Sequence, residues 1–220
     1  MIDTITLRHT LPRVFRGSET EPPVCHSEVW LRPEISFSRP GRYVIEAESG
    51  TGKSSLCAYI YGSRTDYDGE ILFDGTDIRT FGINRWCELR RRALAYLPQE
   101  MRLFPELTAM ENLMIKNRLT DFHTEAELRT LLERVELGAK ADIPAGRLSV
   151  GQQQRVAIVR ALCQPFDFLL VDEPVSHLDA RNNASVAALI ASEAEARNAA
   201  LIATSVGNKL SITDYKLLHL

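Results

Sequence analysis

Cysteine is sparse in this 220-residue sequence, and its four copies, Cys25, Cys57, Cys87 and Cys163, form no Cys-x-x-Cys pair. That spacing excludes a disulfide framework and a zinc site and suits reduced thiols in the cytoplasm. No apolar stretch approaches the roughly 20 residues that a membrane-spanning helix needs. The start, Met1-Ile2-Asp3-Thr4, lacks the basic and then apolar pattern of a secretion signal. A soluble chain is therefore expected, and any work at a membrane requires another chain to hold it there. Excess positive charge is also missing. The net charge is −3, whereas nucleic-acid-binding domains are normally basic, so no nucleic-acid partner is expected. Internal repeats and low-complexity runs are absent as well.

What is present is a globular balance, 45% apolar and 25% charged residues, over a length that suits one domain. Ile5 and Leu7 alternate with polar residues as on a half-buried strand. A polar loop follows from Arg16 to Glu28, with Gly17, Pro22 and Pro23. Ile35 and Phe37 alternate again, and Pro40-Gly41 makes a turn. Tyr43-Val44-Ile45 reads as a short strand and Ser55 to Tyr61 as a helix stopped at Gly62. Two Asp-Gly turns, at Asp68-Gly69 and Asp74-Gly75, bracket the strand Glu70 to Phe73. The middle is helical. Thr108 with Glu111, and Thr124 with Glu127, have capping-box spacing, and Gly138 is placed to end the second run. Phe168 to Val171 has the unbroken apolar character of a strand buried on both faces. Ala184 to Ala196 reads as a helix, and Ala200 to Ala203 and Tyr215 to Leu220 as strands. This alternation predicts an α/β fold with a parallel sheet between helices.

Two segments carry chemistry. Ala47-Glu48-Ser49-Gly50-Thr51-Gly52-Lys53-Ser54 has P-loop spacing, with Ala47 in place of the first glycine, between a strand and a helix. Gly50 and Gly52 let backbone N–H groups turn inward around phosphate oxygens. The helix beginning at Ser55 directs its positive end at the same anion. Lys53 supplies charge to the β- and γ-phosphates, and the Ser54 hydroxyl is a Mg²⁺ ligand. Further on, Leu169-Leu170-Val171-Asp172-Glu173-Pro174 ends a buried strand in two acids. Downstream of a P-loop this is a Walker B arrangement. Asp172 holds the metal, and Glu173 orients or deprotonates the attacking water.

With these segments the chain resembles the ATP-binding cassette (ABC) ATPases over nearly its whole length. Leu148-Ser149-Val150-Gly151-Gln152 resembles their signature, Leu97-Pro98-Gln99 their Q-loop, and Ser176-His177-Leu178-Asp179 their D-loop, all in family order. The resemblance implies a P-loop NTPase (RecA-like) core with an N-terminal antiparallel layer, over 1–98 and 164–220. It also implies a helical subdomain, 99–163, carrying the signature. Two cassettes, identical or related, are expected to close head to tail around two Mg-ATP. Ser149, Gly151, Gln152 and Asp179 would then act across the interface, Ser49 to Ser55 would hold the nucleotide, and Gln99 would sense the metal and attacking water.

Phe15 is the candidate aromatic for the adenine, with Trp30, read as opening the second strand, the weaker alternative. Val150 replaces a signature glycine, and is expected to sit in ordinary helix-start backbone. His177 reads as a variable exposed residue. Where the family carries a switch histidine, Ala203-Thr204-Ser205 places Ser205, so slow hydrolysis is expected. A lone short cassette resembles the lipoprotein-releasing, macrolide-export and cell-division subgroup, whose members pair with a separate transmembrane permease at the cytoplasmic membrane face. The alternative expectation is a nucleotide-gated module that closes on ATP but hydrolyses it poorly.

Overall fold

The computed structural model describes residues 1–22 and 24–220; Pro23, part of the expected loop, lies outside them. The chain runs through β1 (Thr4–Pro12), β2 (Ile35–Ser38) and β3 (Arg42–Glu46), then α1 (Lys53–Ile60), β4 (Tyr67–Phe73) and β5 (Thr76–Asp77). There follow α2 (Ile83–Arg92), β6 (Leu94–Leu97), α3 (Ala109–Asn117), α4 (Glu125–Arg134) and α5 (Val150–Leu162). The last elements are β7 (Phe168–Asp172), α6 (Ala180–Ala196), β8 (Ala200–Ser205) and β9 (Lys216–His219).

Two sheets form. One is antiparallel, in the order β2-β1-β4-β5; the other, in the order β6-β7-β8-β3-β9, is parallel throughout. The parallel strands are apolar on both sides because each side faces a different core. Leu169 and Val171 of β7, with Leu201 and Ala203 of β8, pack with residues of α5 and α6. Phe168, Leu170, Ala200 and Ile202 pack with α1 and the antiparallel layer. Strand period two therefore assigns alternate residues to opposite cores. Helices α3, α4 and α5 pack on one another beside the sheet.

Local signals place most element ends. Both capping boxes form, at Thr108/Glu111 and Thr124/Glu127. Gly62 takes φ 69 just past α1, the left-handed conformation a helix end favours. Four expectations need correction. Asp68-Gly69 is not a turn ahead of the strand: both residues lie inside β4, where Asp68 pairs with Leu11 and Gly69 takes φ 82 beside a register shift in β1. The first helix starts at Lys53 rather than Ser55, directly after Gly52, so the phosphate loop and the helix are continuous. Gly138 does not end α4. The helix stops at Arg134, Glu136 takes φ 58, and Gly138 opens a separate 3-10 turn. Trp30 does not open β2; it is buried in the loop before that strand.

Candidate nucleotide site

The phosphate loop leaves the end of β3 and turns into α1. Gly50 has φ 87 and Gly52 φ 99, a region costly to residues with a Cβ. Lys53 is buried, 5% exposed. Its ammonium donates to the Glu48 carbonyl at 2.6 Å and the Ala47 carbonyl at 3.4 Å. Burial lowers its pKa, while Glu173 and then Asp172 oppose that shift. Ser54 is exposed at the first turn, and Ser55 accepts from Arg64 at 2.9 Å.

Glu173 follows β7 with φ 49, a strained conformation for a residue with a Cβ. Its backbone is held from both sides. Its N–H donates to Thr204 Oγ1 at 3.2 Å, and its carbonyl accepts from Gln154 at 3.1 Å and Ser176 Oγ at 3.2 Å. Its carboxylate lies 3.9 Å from Lys53 Nζ and accepts from Gln99 Nε2 at 3.3 Å. Lys53, Glu173 and Gln99, drawn from three distant segments, thus meet at one point. Asp172 beside them is 1% exposed and accepts from Thr204 Oγ1 at 2.6 Å.

Ser54, Gln99 and Asp172 line one cleft of about 550 Å³. Their donors are oxygens, and Thr204 engages one Asp172 oxygen, leaving the other. Among the described residues no group of three His, Cys, Asp or Glu could enclose a metal. A single carboxylate with neutral oxygens suits Mg²⁺, which is usually held by few protein ligands together with substrate phosphates. The donor set therefore fits that ion.

Ser205 ends β8, and its carbonyl accepts from the Ala47 N–H at 3.2 Å, so this strand end abuts the phosphate loop. The side chain is 2% exposed, and among the described residues its hydroxyl finds no hydrogen-bond partner. Phe15 closes a short 3-10 turn and stands against Gly52, where an added Cβ would lie 3.4 Å from its ring.

The signature residues lie apart from this cluster. Ser149 caps α5 in a capping box with Gln152, and both face outward rather than into the core. Val150 is the first helical residue, exposed and outside the positive-φ set. Gly151 has a reason within its own chain: a Cβ there would approach the His177 carbonyl to 2.9 Å. Asp179 caps α6 through Asn182, whose backbone N–H lowers its pKa. His177 is exposed. Among the described residues no hydrogen bond joins Ser149, Gly151, Gln152 or Asp179 to the phosphate loop.

Sequence reasoning missed Thr204 and Gln154. Gln154 is 3% exposed and bonds the Glu173 carbonyl, Ser176 Oγ and the His177 N–H. It thereby ties the signature helix to the acid and the D-loop of one chain. A polar residue on the buried face of a helix was the signal available for it. Thr204 was passed over for its neighbour Ser205.

Comparison with known proteins places these features together. A family model described as "ABC transporter" matches residues 33–176. The lipoprotein-releasing system ATP-binding protein LolD of Shewanella denitrificans is 32% identical over 184 residues, covering 81% of this chain and 78% of that protein. The phosphonates import ATP-binding protein PhnC of Frankia casuarinae is 37% identical over 178 residues, covering 75% and 70%. Among solved structures, the dimeric post-hydrolysis state of the ATP-binding cassette MJ0796 bound to ADP and Pi has a similar fold. The TM-score is 0.70 at 24% identity, over 80% of this chain and 79% of that one.

Proposed function

This chain belongs to the ABC transporter family, and from that premise we propose that it is the ATP-hydrolysing subunit of a membrane complex. It closes with a second cassette around two Mg-ATP and drives a separate transmembrane partner from the cytoplasmic face. The observation that carries this reading is the meeting of Lys53, Glu173 and Gln99 beside the cleft that Ser54 and Asp172 line.

The roles follow from that geometry. Lys53 and the inward N–H groups of the phosphate loop bind the β- and γ-phosphates, with Ser49, Gly50, Thr51 and Ser55 completing the loop and the first helical turn. Lys53 exchanges its carbonyl partners on Ala47 and Glu48 for phosphate oxygens. Ser54, Asp172 and Gln99 would hold Mg²⁺, which when bound would supply charge neutralisation to the phosphates. Glu173, fixed in backbone by Thr204 and Gln154, takes a proton from the attacking water while Gln99 orients it. Ser149, Gly151 and Gln152 offer an exposed helix start to the second cassette's nucleotide, with Asp179 nearby in the D-loop.

No helix among the described residues is long and apolar enough to cross a membrane. The relatives include ATP-binding proteins of a lipoprotein-releasing system and of phosphonate import, which supports a transport or mechanotransmission role without selecting a substrate. The buried, unpartnered Ser205 hydroxyl supports slow turnover, the property of a nucleotide-gated module.

Calorimetry with Lys53→Ala tests the assignment. ATP affinity should be lost or severely weakened. Unchanged affinity would remove the phosphate loop from the nucleotide site.

A further inference from the structure

Trp30 is among the largest fully buried side chains of the protein, yet it lies in a loop and belongs to no strand. The loop around it is built to hold it. The Ser27 hydroxyl, itself buried, accepts from the Trp30 N–H at 2.7 Å and the Val29 N–H at 3.0 Å. Leu31 is tied to β1 through the Thr10 carbonyl at 3.0 Å, and Arg32 ties back to the Ser27 carbonyl at 2.9 Å. From this anchored position the indole N–H donates to the Thr51 carbonyl at 3.0 Å, inside the phosphate loop and 21 residues away. The indole ring also lies beside Gly52, where an added Cβ would come 3.1 Å from its Cζ2.

The Thr51 carbonyl and the Gly52 N–H share one peptide plane. That peptide is trans, since the cis bond of this chain is Arg39-Pro40. In a trans peptide the C=O and N–H point in opposite directions. An indole that holds the carbonyl on one side of the loop therefore turns the Gly52 N–H to the other side. Gly52 is also the residue whose left-handed φ brings the loop into α1.

Building on the proposed phosphate-loop reading, we propose that Trp30 is a positioning residue for nucleotide binding. Its indole N–H locks the Thr51–Gly52 peptide so that the Gly52 N–H faces the phosphates before they arrive. The role is distinct from adenine stacking. It acts on phosphate affinity through backbone orientation, and Trp30 makes no contact with the nucleotide.

The test removes the N–H alone. In a Trp86→Phe background Trp30 is the sole tryptophan, and it can be replaced with benzothienylalanine, whose ring sulfur keeps the shape without the donor. ATP affinity is measured by calorimetry beside Trp30→Phe and Lys53→Ala. Loss of one net hydrogen bond predicts about 3- to 10-fold weaker ATP binding for the benzothienyl protein. Turnover at saturating ATP should be unchanged, and the thermal midpoint should fall by no more than about 2–4 °C. Tryptophan emission of the parent protein should shift when ATP is added. Wild-type affinity in the benzothienyl protein, while Lys53→Ala loses binding, overturns the positioning role and leaves the phosphate loop intact. A fall in thermal midpoint with no change in affinity overturns it equally, because that is the mark of a merely structural tryptophan. If Lys53→Ala binds ATP normally, the phosphate-loop reading fails and takes this inference with it.

Discussion

Thr204→Val replaces one methyl-sized group with another and deletes a hydroxyl that serves two partners. The hydroxyl donates to Asp172 Oδ1 at 2.6 Å and accepts from the Glu173 N–H at 3.2 Å. Thr204 is fully buried and Asp172 is 1% exposed, so no water replaces the lost donor. A hydrogen bond to a charged group contributes about 1.5–3 kcal/mol, and the longer bond from a partly buried N–H about 0.5–1.5 kcal/mol. The sum is about 2–4.5 kcal/mol. For a chain of this size each kcal/mol corresponds to about 2–4 °C, so the midpoint should fall by about 4–18 °C. Glu173 would lose the acceptor for its N–H and keep only the Gln154 and Ser176 bonds to its carbonyl. Thermal melting and ATPase assays of Thr204→Val and Thr204→Ser decide the matter. Serine keeps the hydroxyl and should restore most of the activity. A Thr204→Val protein that melts within 2 °C of wild type (about 1 kcal/mol or less) and turns over normally would refute the argument.

Glu173→Gln keeps the shape of the acid but cannot accept a proton; with Mg-ATP it should run as a persistent dimer on sizing chromatography, and wild-type turnover would remove Glu173 as the base. Ser205→His, assayed with the membrane partner, should raise turnover, since one missing donor in a preorganised site costs about 10²–10³ in rate; ordinary family rates in wild type, unchanged in Ser205→Ala, would show that this position is not a switch. Phe15→Ala should weaken ATP binding about 5- to 100-fold if the ring supports the adenine, and calorimetry reads this directly; a base resting on another side chain in an ATP complex would contradict it.

Much of this protein was legible in its sequence because the deciding signals are local. The P-loop segment from Ala47 to Ser54 places its glycines, lysine and serine within eight consecutive residues, and the backbone alone converts that spacing into a cradle. The capping boxes at Thr108, Thr124 and Ser149 close within four residues each. Strand β7 announces itself by four apolar residues, Phe168 to Val171, followed by the acids Asp172 and Glu173. Even the tolerance of Val150 follows from a local fact, since a helix start needs no left-handed backbone.

The support around these segments became visible only in the fold. Trp30 reaches the phosphate loop across 21 residues, Gln154 reaches Glu173 across 19, and Thr204 reaches Asp172 across 32. No periodicity in the sequence encodes such pairings. They arise because parallel strands β7 and β8 lie side by side, because α5 ends its first turn against the D-loop, and because the loop before β2 folds under α1. Gly151 makes the same point: sequence explained it by phosphate, whereas the fold adds the close approach of the His177 carbonyl. The residues proposed to do the chemistry were written in contiguous motifs. The residues that hold them in place were chosen by packing, which brings distant segments together wherever a buried donor needs an acceptor.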